Sequence, residues 1–142
     1  MRLFFATAMV VFANIQMLGA ISLPAFSPIA SNVEGADFEG TVGLSNCSGS
    51  VVRFEKSEDT DNALMMTNGH CVKLMGAGEV FSNQKSSRTM SLLNTKAESQ
   101  GTLKATQLVY ATMSKTDLAF YELEKTYKEI KDAYNIMPLT LA

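Results

Sequence analysis

A series of short apolar, β-branched runs separated by turn-forming residues is the feature that most constrains the fold of this chain. The runs occupy residues 41–44, 50–54, 63–67, 79–81, 89–93, 105–113 and 118–123. Short runs of this kind, bounded by residues such as Gly, Asn, Asp and Ser, are typical of β-strands. Many such strands in succession are found in barrels and sandwiches. We therefore expect an all-β domain.

The connecting segments between these runs have turn and surface character. Residues 55–62, EKSEDTDN, contain no apolar side chain and are expected to form the exposed tip of a hairpin. Gly76 and Gly78 bracket a predicted tight loop, and residues 82–87 are predicted to form another. The Gly-x-Gly pair precedes a predicted strand and not a helix, so it does not indicate a phosphate-binding loop.

One segment has the periodicity of a helix. Residues 125–135 place Tyr127, Ile130 and Tyr134 on one face, with charged residues between them. This spacing predicts a short surface helix near the C-terminus. Pro138 is expected to stop the helix from continuing.

The N-terminal residues have the pattern of a secretory signal peptide. Arg2 precedes an apolar stretch at residues 3–13, and small residues follow. Asn14 and Gln16 interrupt the apolar run before it reaches the roughly 18 residues of a membrane-spanning helix. We predict a signal peptide at residues 1–20, cleaved between residues 18 and 30. The protein is then secreted or periplasmic, with no stable membrane insertion after cleavage; a buried N-terminal helix is the alternative.

The rest of the chain is expected to form one domain. Residues 21–37 contain two prolines and show no periodicity, so they are predicted to be a linker or pro-segment, and residues 38–142 the folded domain. The composition is 46% hydrophobic and 18% charged, which is typical of a globular protein and not of a disordered one. The formal net charge of −2 gives no basic excess, so nucleic acid is not an expected partner.

Two cysteines and one histidine limit the thiol and imidazole chemistry of the chain. In the oxidising compartment that export implies, an even number of cysteines favours a disulfide, and Cys47 and Cys71 allow a single intramolecular pairing. Zinc is the less favoured alternative, because these residues are too few for a closed structural site and His70 is adjacent to Cys71. We predict no metal and no cofactor.

The only histidine lies in a segment suited to holding a side chain rigidly. In residues 63–71, ALMMTNGHC, an apolar run is followed by Asn68 and Gly69, which place His70 just beyond a predicted buried strand. Cys71 fixes the backbone beside it, so the imidazole would be held at the edge of a core. The position alone also fits an ordinary hydrogen-bonded histidine next to a structural cysteine.

Asp117 lies at the start of another predicted strand, in the segment TDLAFYELE. An aspartate at the mouth of a strand is usually a turn residue or a cap. By itself it carries little functional weight, and its position relative to His70 matters more.

The segments NCSGSVV, ALMMTNGHC and TDLAFYEL, in that order, closely resemble the N-terminal barrel of the trypsin-like serine peptidases, which have the chymotrypsin fold. In that family a cysteine followed by small residues opens one strand, a T-x-x-H-C segment carries the general base, and an aspartate before alternating apolar residues orients it. The matching positions here are Cys47, then Thr67, His70 and Cys71, then Asp117. The interval of 47 residues between His70 and Asp117 suits the family, and the resemblance covers about residues 38–141.

The resemblance implies a fold and a mechanism. The fold is a single Greek-key β-barrel of the chymotrypsin-like type, the first of the usual two, with a short C-terminal helix. The activity is that of a serine endopeptidase acting on peptides or proteins, with His70 as general base and Asp117 orienting it. Asn68 and Gly69 replace the usual Ala-Ala pair, a change expected to be tolerated because both residues are small. No activation signature of the Ile-Val-Gly-Gly kind is clear, so zymogen-style activation is not supported.

The nucleophile of that family is missing from this sequence. In the family the serine and the oxyanion hole belong to a second barrel, whereas here no serine has a Gly-x-Ser-Gly context and none follows Asp117. We therefore expect a chain truncated before the nucleophile and inactive by itself. The alternatives are a non-catalytic secreted module that binds peptides or a partner, and a structural β-domain in which His70 and Asp117 are incidental.

Overall fold

The computed structural model of this chain describes residues 37–73 and 75–142, which form eight β-strands, one α-helix and one 3-10 turn. The strands are β1 (Thr41–Gly43), β2 (Ser48–Phe54), β3 (Asn62–Thr67), β4 (Val80–Lys85), β5 (Thr89–Leu93), β6 (Ser99–Thr112), β7 (Leu118–Thr126) and β8 (Leu139–Leu141); the turn is Gly69–Cys71 and the helix is α1 (Tyr127–Tyr134). The predicted signal peptide, and all of the predicted linker except Asp37, lie outside the described residues.

Six of these strands close into an antiparallel barrel. Their order is β1-β5-β6-β7-β3-β2, and a further pairing between β1 and β2 completes the ring. The barrel thus consists of two three-stranded meanders, β1-β2-β3 and β5-β6-β7, joined by the β3–β7 and β1–β5 pairs. The expectation of a mostly β domain with a barrel and one short helix is confirmed.

The barrel interior is filled by side chains from alternate strand positions. In β3, for example, Ala63, Met65 and Thr67 are buried while Leu64 and Met66 are only partly so, as the two-residue period of a strand requires. Nine large side chains are completely buried: Met65, Leu92, Leu103, Leu123, Ile130, Ile136, Val42, Val51 and Val52. All of them except Val52 belong to one continuous core that extends from the barrel to the helix.

Helix α1 closes one side of the barrel and begins with a capping box. The Thr126 hydroxyl accepts from the Glu129 backbone amide at 3.2 Å, and the Glu129 carboxylate accepts from the Thr126 amide at 2.7 Å. Ile130 is fully buried, and the helix ends at Asn135 in the left-handed conformation, with φ of 54°. The helix predicted over residues 125–135 is confirmed, two residues shorter at its start and one residue shorter at its end. No helix in the described ranges is long and apolar enough to cross a membrane.

The structure differs from the sequence-based expectation at the outer strands. Residues 82–87 were expected to form a loop, but Ser82 to Lys85 continue β4. This strand lies outside the ring of six strands and pairs with β6. The start of β4 agrees with the strand predicted at residues 79–81, but residues 82–85 are exposed and polar, so this second half gives no strand signal. Strand β6 is also longer than expected at its start, because its exposed first residues pair with β5. Strand β8, which pairs in parallel with β2, was not predicted.

Candidate functional site

His70 lies in the 3-10 turn Gly69–Cys71, which follows directly on β3. The strand is held at that end by the Thr67 hydroxyl, which donates to the Ser48 carbonyl of β2 at 2.7 Å. The Cys71 amide then donates to the Asn68 carbonyl at 3.2 Å, which turns the chain out of the sheet. The imidazole is therefore presented at one end of the barrel by a short, hydrogen-bonded turn.

Asp117 is brought to the same end of the barrel by the pairing of β7 with β3. Thr67 lies opposite Ala119 in this pair, so the residue before β7 falls beside the turn that follows β3. A tight β6–β7 connection, in which Lys115 has φ of 66° and the Thr116 amide donates to the Ser114 carbonyl, leads into Asp117. Residues separated by 47 positions in sequence thus come into contact through sheet register.

The Asp117 carboxylate binds His70 at two places. Its Oδ1 accepts from the His70 backbone amide at 2.9 Å, and its Oδ2 lies 2.5 Å from the His70 ring Nδ1. Asn68 Nδ2 adds longer contacts of 3.4 Å to Oδ2 and to the Asp117 carbonyl. An ionised carboxylate only accepts, so Nδ1 carries the proton in this arrangement. Within the described residues, the other ring nitrogen, Nε2, has no hydrogen-bond partner.

These hydrogen bonds stabilise the charged form of Asp117. The His70 ring and then the His70 backbone amide hold the pKa of the Asp117 carboxyl below its ordinary value. Both side chains are open to solvent, with exposed fractions of 54% for His70 and 41% for Asp117, so water screens the pair. The contact therefore fixes the orientation and tautomer of the ring more than it stabilises the fold.

Gly69 is the residue that lets the turn approach β6 this closely. A Cβ atom at this position would lie 2.2 Å from the Thr112 carbonyl oxygen and 3.1 Å from Asp117 Oδ1. The first distance is far inside van der Waals contact with backbone that cannot move aside. Small size alone therefore does not explain the residue at this position, because the space between the turn and β6 admits glycine only.

The expected disulfide between Cys47 and Cys71 is present, with Cα atoms 6.1 Å apart. It joins the segment before β2 to the turn that holds His70. The two sulfurs and a His70 nitrogen lie within 4.8 Å of one another, which is compatible in distance with a metal site. The sulfurs bonded to each other are not thiolates, however, so they could ligate a metal only after reduction.

Arg88 supports the turn from its other side, and sequence reasoning missed it. Its guanidinium donates to the Cys71 carbonyl, to Asn46 Oδ1 at 2.7 Å and to the Tyr121 hydroxyl at 3.4 Å. Its charged carbon also lies 5.8 Å from the centre of the Tyr121 ring, within range of a cation–π interaction. A lone arginine after a serine-rich stretch carries no sequence signal of this role, because its partners come from three distant segments.

An open cleft of about 740 Å³ adjoins this turn. His70, Cys71 and Val72 form one wall, and residues from the end of β4 and from the β4–β5 connection form another. Ser45, Ser86 and Ser87 line the cleft, but none of their hydroxyls hydrogen-bonds the His70 ring. The described residues thus bring an imidazole, a carboxylate that contacts it and a cleft to one end of the barrel.

No protein-family model, curated protein or solved structure matches this chain. The comparisons therefore assign no family. The resemblance to trypsin-like peptidases rests on the three sequence motifs.

Proposed function

We propose that this chain is the base-carrying barrel of a trypsin-like serine endopeptidase, with His70 as general base and Asp117 as the residue that orients it. The observation that carries the proposal is the double contact of the Asp117 carboxylate with the His70 backbone amide and ring Nδ1. An ordinary surface histidine does not need a carboxylate that fixes both its backbone and its tautomer. A general base that must receive a proton at Nε2 does.

The order of the strands supports the same proposal. The two meanders close through their outer strands, in the order β1-β2-β3-β7-β6-β5, with β4 added outside the ring. We classify this barrel as the Greek-key barrel of the chymotrypsin-like type, and the disulfide beside His70 agrees with that classification. The base then follows the third barrel strand, and the orienting carboxylate precedes the sixth.

The chemistry follows from the proton positions. With Nδ1 protonated and bound to Asp117, Nε2 is free to take the proton of an attacking serine hydroxyl and to return it to the leaving amine. The negative charge of Asp117 stabilises the imidazolium between these two transfers. The substrate would be a peptide or protein.

The nucleophile and the oxyanion donors of this mechanism would come from a second barrel. No serine in residues 37–73 and 75–142 hydrogen-bonds the His70 ring, and the barrel alone is expected to leave the acyl-transfer barrier unchanged. The exposure of Asp117 agrees with a site that is shared between two barrels. The orienting aspartate of a working triad is buried, whereas here its side chain remains 41% exposed and would be covered by the docking of the second barrel.

We place this protein outside the cytoplasm, either secreted or periplasmic. The disulfide supports this location, because such bonds persist in oxidising compartments. The N-terminal sequence pattern is the second support.

The second candidate is a non-catalytic module that binds peptides or a partner. The observation that favours it is the cleft, which is formed by described residues alone and needs no nucleophile. In this case the contact between His70 and Asp117 would stabilise the turn that forms one wall.

Labelling of the native protein distinguishes the two candidates. The protein is isolated from its natural source with an antibody against residues 37–142, together with anything attached to it, and treated with a fluorophosphonate probe. The peptidase proposal predicts a labelled serine outside residues 37–142, located by mass spectrometry. The absence of labelling from every native form would overturn the peptidase proposal in favour of the binding module. Labelling of a serine within residues 37–142 would show that the nucleophile has been misplaced.

A further inference from the structure

The cleft beside His70 has a charge opposite to that of the protein as a whole. Three cationic side chains line it, those of Lys73, Lys85 and Arg88, and no aspartate or glutamate is among its lining residues. The chain as a whole carries a formal net charge of −2. A local excess of positive charge in an acidic protein points to a negatively charged occupant.

These three cations are not neutralised by carboxylates of the described chain. No aspartate or glutamate oxygen within the described ranges lies within 4.0 Å of Lys73, Lys85 or Arg88. Lys73 and Lys85 are exposed, and they line the cleft from two different segments, one after the 3-10 turn and one at the end of β4. Their ammonium groups are therefore available to an occupant.

Arg88 is held in place by neutral groups only. Its partners are a backbone carbonyl, an amide oxygen and a hydroxyl, belonging to Cys71, Asn46 and Tyr121. A guanidinium has five N–H groups, so these three contacts leave two without a described partner. Arg88 is therefore a fixed positive charge that no described carboxylate neutralises, and its two remaining N–H groups could donate to a carboxylate of a bound molecule.

We propose that this cleft binds an acidic side chain, Asp or Glu, of a peptide whose scissile bond lies at His70. The inference rests on the proposed function for the position of that bond, because His70 is itself a wall of the cleft. A peptide seated here brings its carboxylate between Lys73 and Lys85 while its backbone passes the imidazole. The protein would therefore select substrates with an acidic residue close to the cleaved bond.

Binding of matched peptides to the purified full chain tests this proposal. One blocked, fluorescent peptide carries two glutamates, and its partner carries two glutamines at the same positions. At low ionic strength, we expect the glutamate peptide to bind at least about fivefold more tightly than the glutamine peptide, as measured by fluorescence anisotropy. The preference should shrink in about 1 M salt, where the screening length is about 3 Å.

Two double variants with the same change in net charge locate the effect. The Lys73→Gln, Lys85→Gln variant should lose the glutamate preference, and the Lys96→Gln, Lys104→Gln variant, changed outside the cleft, should keep it. Lys73 and Lys85 make no side-chain hydrogen bond among the described residues, so their replacement should leave the fold intact. Thermal unfolding of both variants checks this.

Three results would overturn the proposal. They are equal binding of the two peptides, equal loss of preference in both double variants, and displacement of the glutamate peptide by a single-stranded oligonucleotide of the same charge at equal or lower concentration. The last result would mark the cleft as a general polyanion site.

Failure of the proposed function has a different signature. Substitution of His70 by Ala should leave the glutamate preference within about twofold, because the cations and not the imidazole bind the carboxylate. A native protein that no fluorophosphonate labels, combined with an intact glutamate preference, would leave an acidic-peptide binding module. Labelling without a glutamate preference would leave the peptidase and remove the specificity proposed here.

Discussion

The carboxylate of Asp117 receives the His70 backbone amide at 2.9 Å and approaches its ring Nδ1 at 2.5 Å. Two contacts to one residue fix the position of the main chain as well as the orientation of the ring. The arrangement depends on the register of β3 with β7, on Gly69 and on the disulfide at Cys71. Gly69 and the disulfide can each be removed separately by substitution.

Protonation of Asp117 should weaken the fold at acid pH. The pKa of this carboxyl is held below its ordinary value of 3.8, mainly by the His70 ring. Its contribution to stability is therefore present above 3.8 and is lost as the pH falls through the lowered pKa. Thermal unfolding should show Asp117→Asn melting below the wild type at about pH 6, and the difference should shrink at a second, acid pH below 3.8.

Glu55→Gln is the matched control for the pH experiment, because it removes one exposed carboxylate that makes no side-chain hydrogen bond among the described residues. It should follow the wild type at both pH values. A difference between wild type and Asp117→Asn that is the same at both pH values would show that the effect does not come from the Asp117 charge.

Replacement of Gly69 by Ala should displace the turn that carries His70. The new methyl would meet the Thr112 carbonyl at 2.2 Å, so either the turn or β6 has to move. Bad contacts of this kind typically cost about 1–3 kcal/mol. The measurement is urea unfolding together with the ¹⁵N shifts of the His70 ring, which report its tautomer. Gly78→Ala is the control: no atom lies within 4 Å of its added Cβ, but its φ of 81° makes it strained, so it should lower stability without changing the ring shifts.

Much of the fold could be predicted from the sequence, because the strands that bury one face alternate visibly. Strand β3 and strand β7 have clear patterns, and the helix has a clear stripe at Tyr127 and Ile130. The start of strand β4 was predicted from the run at residues 79–81, but its second half, residues 82–85, could not be, since a polar strand outside the ring has the composition of a loop. The three-residue strand β8 depends on a parallel pairing with β2 that no local pattern encodes.

The candidate site, like the fold, could be predicted only in part. The proximity of His70 and Asp117 was expected from the motifs, and the pairing of Cys47 with Cys71 from the cysteine count. The role of Arg88 and the requirement for glycine at position 69 were not, because both depend on backbone atoms of other segments, the Cys71 and Thr112 carbonyls. A sequence read along one dimension does not reveal which carbonyl a side chain reaches. The catalytic roles of His70 and Asp117 stay predictions.

Removal of the disulfide should destabilise the barrel substantially. The bond joins residues 24 positions apart, and on the chain-entropy account closing a loop of that size stabilises the fold by about 3 kcal/mol. The Cys47→Ser, Cys71→Ser double variant should lose about this much in urea unfolding. Reduced wild type should lose a similar amount. A loss below about 1 kcal/mol in both would mean that the turn at His70 is held by its hydrogen bonds and by Arg88 without the bond.

The Tyr127 hydroxyl should stabilise the packing of the helix against the barrel. It donates to the Val52 carbonyl at 2.9 Å and accepts from the Leu64 amide at 3.3 Å, linking β2 to β3. Tyr127→Phe leaves both groups without this partner and should cost about 1–3 kcal/mol in the free energy of unfolding. Tyr110→Phe is the matched control, because that side chain is 39% exposed and its hydroxyl has no described partner. Equal losses of stability in Tyr127→Phe and Tyr110→Phe would show that the hydrogen bonds of the Tyr127 hydroxyl do not stabilise the fold.

The proposed role of His70 as a catalytic base is tested by the hydrolysis of peptides by the native protein, isolated together with anything attached to it. Two forms are compared, one in which the chain carries His70→Ala and one in which it carries Lys104→Gln, a control remote from the site. Each substitution is introduced in the natural source, and the protein is then isolated from it. We expect His70→Ala to lower kcat/KM by about 10³-fold or more and Lys104→Gln to leave it unchanged. If the His70→Ala form cleaves peptides as fast as the Lys104→Gln control, His70 is not the general base.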